Sequence, residues 1–214
     1  MLMAKLYFLG GEDLVKRDSE NINKKAFVDA GGMPIVLVFI GWASKSVVET
    51  EKYRRIIVNY FNDIGAKKIV FAELSDSLEV IGNKMENADL IYLPGGDTKL
   101  LIERIKKKGV ETLLRRYGKI IIGNSAGALI LCSDCLITDN KTLEETTIVP
   151  GVGLVDFCVD VHYNSSRDKE LMELSKHRRI YAIAEKSALV YDDVRTSFLG
   201  SVYLFFKRKK TQCS

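Results

Sequence analysis

The segment Pro34–Ile40, PIVLVFI, is apolar on both faces. A strand with one wet face alternates apolar and polar residues. One that is apolar throughout is covered on both sides, as strands of a parallel sheet are. Lys119–Ile122 has the same character, and Lys5–Leu9, Lys68–Ala72 and Leu90–Leu93 read as further strands. Between them lie helical patterns. In Val47–Ile64 the residues Tyr53, Ile57, Tyr60, Phe61 and Ile64 recur at spacings of three and four, and Gly65 follows as a stop. Ile22–Ala30, Ser77–Asn87, Leu100–Lys108 and Thr112–Tyr117 read as the other helices. Strand alternating with helix predicts a mostly parallel sheet with helices on both faces. Beyond about Leu136 the pattern changes to short strands, Ile180–Ala184, Ala188–Tyr191 and Val202–Phe206, expected antiparallel at one edge, with a helix near Asp168–Lys176.

The 214 residues are 47% hydrophobic and 28% charged, which excludes a disordered chain and supplies one core. No Pro/Ser-rich linker divides them, so a single domain over 1–214 is expected. No apolar run approaches the ~20 residues that span a bilayer, and no membrane partner is expected. The formal net charge is only +4 and the basic residues are scattered, so no nucleic-acid partner is expected either. Lys207-Arg208-Lys209-Lys210 is the exception, read as a solvated basic tail over 207–214. The start, MLMAKLYFLGG, lacks the pattern of a secretion signal, and with four unevenly spaced cysteines a reduced, cytoplasmic protein is expected. Cys132 and Cys135 form an isolated C-x-x-C at the end of a helix and read as buried small hydrophobes. No metal and no organic cofactor are expected, since Gly10-Gly11-Glu12 is not a dinucleotide fingerprint. Trp42 is expected to pack over a cleft. The oligomeric state is open, a homodimer included.

Strand 119–122 runs straight into Gly123-Asn124-Ser125-Ala126-Gly127, and Ala128-Leu129-Ile130-Leu131 opens a helix. This is G-x-S-x-G in the strand-turn-helix setting that lifts a serine Oγ out of a sharp turn. The helix start behind it offers free backbone N–H groups, of which Ala126 N–H can meet a developing oxyanion. A serine nucleophile needs a base. Of two histidines, His177 lies in the basic run Lys176-His177-Arg178-Arg179, so His162 is the better choice. The base in turn needs an acid on its other nitrogen. Asp139, Asp160, Glu144, Glu145 and Glu185 all qualify by residue type. Pro94-Gly95-Gly96-Asp97-Thr98 follows a strand at the end where open α/β sheets bind ligands, and the backbone at Gly95 and Gly96 can supply the second oxyanion donor.

Taken together, Gly10-Gly11-Glu12, Ala30-Gly31-Gly32, Leu93-Pro94-Gly95-Gly96-Asp97, Gly123-Asn124-Ser125-Ala126-Gly127-Ala128 and Asp160-Val161-His162-Tyr163 resemble the peptidase E and cyanophycinase family of serine peptidases. The pieces run in the family's order from position 10 to about 190. The resemblance implies a flavodoxin-like three-layer α/β/α fold similar to class I glutamine amidotransferases. It also implies Ser125 as nucleophile and His162 as base. The acid of the aspartyl dipeptidase branch falls on Asp139 with a one-residue gap, or on Asn140 without one. Asp139 is preferred, because a carboxylate stabilises the imidazolium. Functional acids of the cyanophycinase branch match Asp160 and Glu185. The implied substrate is a small peptide with an aspartyl or isoaspartyl residue, and Arg167 is the expected grip on its carboxylate. The alternatives are an esterase or amidase using the same triad, and a non-catalytic ligand-binding module. Val161 stands where the family carries a polar residue or a proline.

Overall fold

The computed structural model describes residues 4–138 and 146–213. In chain order the elements are β1 (Lys5–Leu9), α1 (Glu20–Asp29), β2 (Ile35–Phe39), α2 (Val47–Asp63), β3 (Lys68–Ala72), α3 (Leu78–Asn87) and β4 (Leu90–Leu93). Then come α4 (Thr98–Lys108), α5 (Val110–Arg116), β5 (Ile120–Asn124), α6 (Ala126–Leu131), β6 (Asp134–Ile137), β7 (Thr147–Pro150) and β8 (Cys158–Asp160). The chain continues through a 3-10 turn (Ser165–Arg167), α7 (Asp168–Leu174), β9 (Ile180–Ile183), β10 (Ala188–Tyr191), β11 (Thr196–Leu199), β12 (Val202–Phe206) and β13 (Lys209–Cys213).

The central sheet has the order β11-β10-β1-β5-β4-β2-β3. Its five strands from β1 to β3 are mutually parallel, and β10 and β11 add an antiparallel edge. This is the mostly parallel α/β/α architecture expected. Each face of the sheet carries its own core. Leu37, Phe39, Ile91 and Ile121 face one, while Val36, Val38, Tyr92 and Ile122 face the other. Alternate residues of one apolar strand thus go to opposite sides, which is why PIVLVFI has no polar position. A second sheet, β13-β12-β9-β8, packs with α7, and β6 pairs with β7.

Two expectations are corrected. The basic segment 207–210 is no tail. Lys207 and Arg208 turn with positive φ and β13 pairs antiparallel with β12. Lys210 reaches Asp168 at 2.8 Å and lies over the rings of Tyr163 and Tyr203, so its stem covers apolar surface while its charge is paired. Trp42 does not cover a cleft. It is fully buried against Phe39 and donates to the Ala72 carbonyl at 2.9 Å. Cys132 and Cys135 are buried free thiols, as expected of small hydrophobes, and so is Cys158. Burial pushes the Cys135 thiol up to about 12 and Cys158 up to about 11, which leaves them inert as nucleophiles at neutral pH. No helix among the described residues is long and apolar enough to cross a membrane.

Candidate active site

The parallel strands deliver their C-terminal ends to one edge of the sheet, the side where such folds place ligands. At the end of β5 the chain turns through Ser125 at φ 50°, ψ −111° and enters α6. That backbone is strained for a residue with a Cβ. Close packing holds it. A Cβ at Gly123 would stand 2.6 Å from the Gly127 carbonyl, and one at Gly127 would stand 2.0 Å from Leu93 O. The Ser125 N–H is tied to Leu9 O at 3.1 Å. The two glycines of the motif are therefore required by contact distance, and the serine between them has nowhere to go except outward.

His162 follows β8 at φ 54°, with its N–H donating to Gly10 O at 2.7 Å. Its Nε2 lies 2.7 Å from Ser125 Oγ. On the other side of the ring, Nδ1 lies 2.5 Å from Glu185 Oε1. Glu185 follows β9, and the next residue, Lys186, closes the turn at φ 60° with its N–H on Gly11 O at 3.0 Å. A carboxylate only accepts, so Nδ1 carries the proton and Nε2 is left as an acceptor for the serine hydroxyl. That is the tautomer a general base needs.

Glu185 thus occupies the position beside the histidine for which Asp139 was preferred. Asp139, with Glu144 and Glu145, lies outside the described residues. Asp160 is not beside the Nδ1 of His162, because the chain leaves the strand through a left-handed residue at His162. Asp160 is buried and meets Arg167 at 2.8 Å. Burial raises its carboxyl to about 6 against the pull of that arginine. Arg167, expected at the substrate, is itself almost buried. Its guanidinium is engaged by Asp160 and by Glu170 at 3.3 Å, and it does not line the cavity in front of Ser125. His177 is exposed and does not line that cavity.

In front of Ser125 opens a cavity of about 890 Å³, bordered by the first strand's loop, the start of α2, the 94–96 turn, Asn124, His162 and Glu185. The volume is that of a small-molecule or short-peptide site. Gly95 touches Ser125, with its missing Cβ 3.3 Å from the serine Cβ. Gly96 has φ 135° and packs on the Ala43 carbonyl, a backbone that no other residue adopts without strain. The N–H of Ala126, first residue of α6, has no partner within its helix. Asp97, adjacent in sequence, is used as the cap of α4, accepting from Leu100 N at 3.0 Å.

One cavity residue was missed in the sequence. Glu12, two positions past the Gly10 that binds His162, accepts from Tyr92 O–H at 2.6 Å and from Asn23 Nδ2 at 2.7 Å. A charged residue directly after the glycine turn of β1 was the signal available.

The model of peptidase family S51 matches residues 9–199. The chain belongs to that family. An uncharacterized peptidase of Listeria innocua, Lin0382, is 29% identical over 131 residues, 56% of this chain and 63% of that protein. Its counterpart in Listeria monocytogenes, Lmo0363, is 32% identical over 54% of this chain and 62% of that protein. The matched stretches thus span less than two thirds of these relatives' length. Among solved structures, a peptidase from an acI-B1 Actinobacterium superposes over 100% of this chain and 95% of its own with a TM-score of 0.75 at 18% identity. A candidate peptidase E protein from Listeria monocytogenes EGD-e superposes over 92% of this chain and 98% of its own with a TM-score of 0.68 at 23% identity. At those identities the two structures speak for the fold.

Proposed function

We propose that this protein hydrolyses short peptides by acyl transfer through Ser125, with His162 as general base and Glu185 as the acid that orients it. The observation that carries the reading is the unbroken chain Glu185–His162–Ser125, at 2.5 Å and 2.7 Å, at the mouth of the cavity. Ser125 Oγ attacks the substrate carbonyl carbon while its proton passes to Nε2 of His162. The tetrahedral oxyanion is met by the N–H groups of Ala126 and Gly96, donors fixed before the charge develops. As the C–N bond breaks, His162 gives its proton to the leaving amine. Water then attacks the acyl-serine, its proton going to His162 and on to Ser125 Oγ as the acid product leaves. Glu185 stays ionised and stabilises the imidazolium in both halves.

The substrate reading extends to aspartyl or isoaspartyl dipeptides and short peptides. With Arg167 engaged by Asp160, the positive charge for an acidic side chain comes from Lys52 and Lys186, which line the cavity. A panel of aspartyl and isoaspartyl dipeptides, run on the wild type and on Ser125→Ala, tests both levels. The reading expects turnover by the wild type, none by the variant, and a melting temperature unchanged within a few degrees. Turnover retained in Ser125→Ala would refute the mechanism. Equal turnover of alanyl dipeptides would refute the specificity.

A further inference from the structure

One side chain holds the loop between β2 and α2 from behind. Arg104, half-buried on α4, turns its Nη1 to three carbonyls of that loop: Gly41 O at 2.7 Å, Trp42 O at 3.1 Å and Ser44 O at 2.8 Å. Arg54 and Arg167 pair with carboxylates, whereas the bonds of Arg104 among the described residues all go to these carbonyls. Carbonyl oxygens turned to one point repel each other. A cation at that point, with its stronger charge-assisted bonds, lets the loop keep this shape.

The shape matters on the other side of the loop. Ala43 O, the carbonyl that Arg104 leaves out, accepts from the Asp97 N–H at 2.9 Å. Gly96 packs so tightly on Ala43 that a Cβ would stand 2.6 Å from its oxygen and 2.8 Å from its Cβ. Gly95 lies against Ser125. The Gly95-Gly96 turn is thus wedged between the nucleophile and Ala43, and the Gly96 N–H has no partner among the described residues. The contacts close into a ring. Asp97 caps α4, the same helix carries Arg104 about two turns further on, and Arg104 returns to the loop that holds Ala43.

We propose that Arg104 is a positioning residue for the oxyanion turn. By gathering the carbonyls of Gly41, Trp42 and Ser44 it fixes Ala43, and Ala43 fixes the backbone at Gly96, whose N–H meets the oxyanion. The proposal rests on the peptidase reading and adds a residue that lies outside both the triad and the cavity lining. An oxyanion donor removed outright costs about 10²–10³ in rate, and one displaced by about 1 Å costs up to about 10².

The test reads the reacting centre with a small neutral fluorophosphonate, which leaves most of the cavity empty. Two quantities are measured on the wild type and on Arg104→Ala: the final fraction of chains labelled at Ser125, and the second-order rate of labelling. The expected result is an equal final fraction and a rate lower by about tenfold to 10²-fold. Guanidinium at about 20 mM, too dilute to unfold a protein, should raise the rate of Arg104→Ala by at least about threefold. Sodium chloride of equal ionic strength should not. On a dipeptide that the wild type cleaves, kcat per labelled chain should fall with the labelling rate while KM stays within about threefold. A smaller labelled fraction at an unchanged rate would make Arg104 a structural residue and overturn the proposal. So would a slowed rate that guanidinium does not lift, or a loss carried by KM. If Arg104→Ala does not fold, Arg104→Lys decides. Its ammonium ends about 1 Å short of the Nη1 position, so the loop shifts or loses its bonds, and the rate should fall at least about fivefold. A wild-type rate in folded Arg104→Lys overturns the proposal. Failure of the peptidase reading looks different: a wild type that is not labelled at Ser125 removes the hydrolase, and the role of Arg104 with it.

Discussion

Gly11 lies against the imidazole of His162: a Cβ at position 11 would stand 2.6 Å from Nδ1 and 2.4 Å from Glu185 Oε2. The backbone there has φ 152°. The first glycine loop of the chain is thus the back wall of the His162–Glu185 pair. Gly11→Ala should push the two side chains apart and lower kcat by about tenfold or more, because a displaced base loses its alignment with Ser125. Steady-state kinetics on a cleaved peptide check it. An unchanged kcat would mean the pair tolerates displacement.

Glu185→Gln keeps the shape of the acid and loses its charge. An amide beside Nδ1 allows the wrong tautomer, and the corresponding change in serine proteases costs about 10⁴ in kcat. A loss of about 10²–10⁴ is expected, the lower figure because this carboxylate is more than half exposed. Asp139→Asn should change kcat less than about threefold, since a single Nδ1 is already held. The two variants measured side by side decide which acid serves the base.

Arg167 and Asp160 form a buried pair, with side-chain exposures of 11% and 3%. Arg167→Gln strands the carboxyl, and breaking such a pair costs about 3 kcal/mol. Chemical denaturation should show that loss at pH 7. It should shrink as the pH falls, because Asp160, whose carboxyl burial raises even beside that arginine, then takes up a proton and needs no partner. A stability unchanged at pH 7, with aspartyl selectivity lost, would return Arg167 to the substrate.

Glu12 makes stability depend on pH in the opposite sense to an ordinary surface acid. Its carboxyl is raised from 4.5 to about 7 by burial. Between those values the folded protein holds a proton that the unfolded chain has released, so its contribution is present at low pH and fades as pH rises to 7. The swing is at most about 3 kcal/mol. Glu12→Gln, which cannot titrate, should flatten the wild-type stability curve between pH 4.5 and 7. A wild-type slope that persists in the variant would assign it to other groups.

The central sheet was legible because a strand covered on both faces must be apolar throughout, and PIVLVFI has no other use. Ser125 was legible because its turn is local: strand, elbow and helix are consecutive, and Gly123 and Gly127 mark the contacts that make it sharp. The partner of His162 was not. Glu185 arrives from a loop 23 residues later, delivered by a left-handed turn at Lys186 that no glycine announces. The same cause hid the β12–β13 hairpin, whose turn residues are Lys207 and Arg208 in place of the usual Asn-Gly. The sequence offers Asp160 as a candidate acid and Arg167 as a grip on the substrate, and only the fold brings the two together as a pair.

The most direct test of the account is the site of covalent modification by a fluorophosphonate, read by peptide mass spectrometry. The account predicts one adduct per chain, on Ser125, formed in the wild type and suppressed by at least about 10²-fold in His162→Ala, where the hydroxyl has lost its base. An adduct elsewhere, or labelling of Ser125 that proceeds equally well without His162, would contradict it.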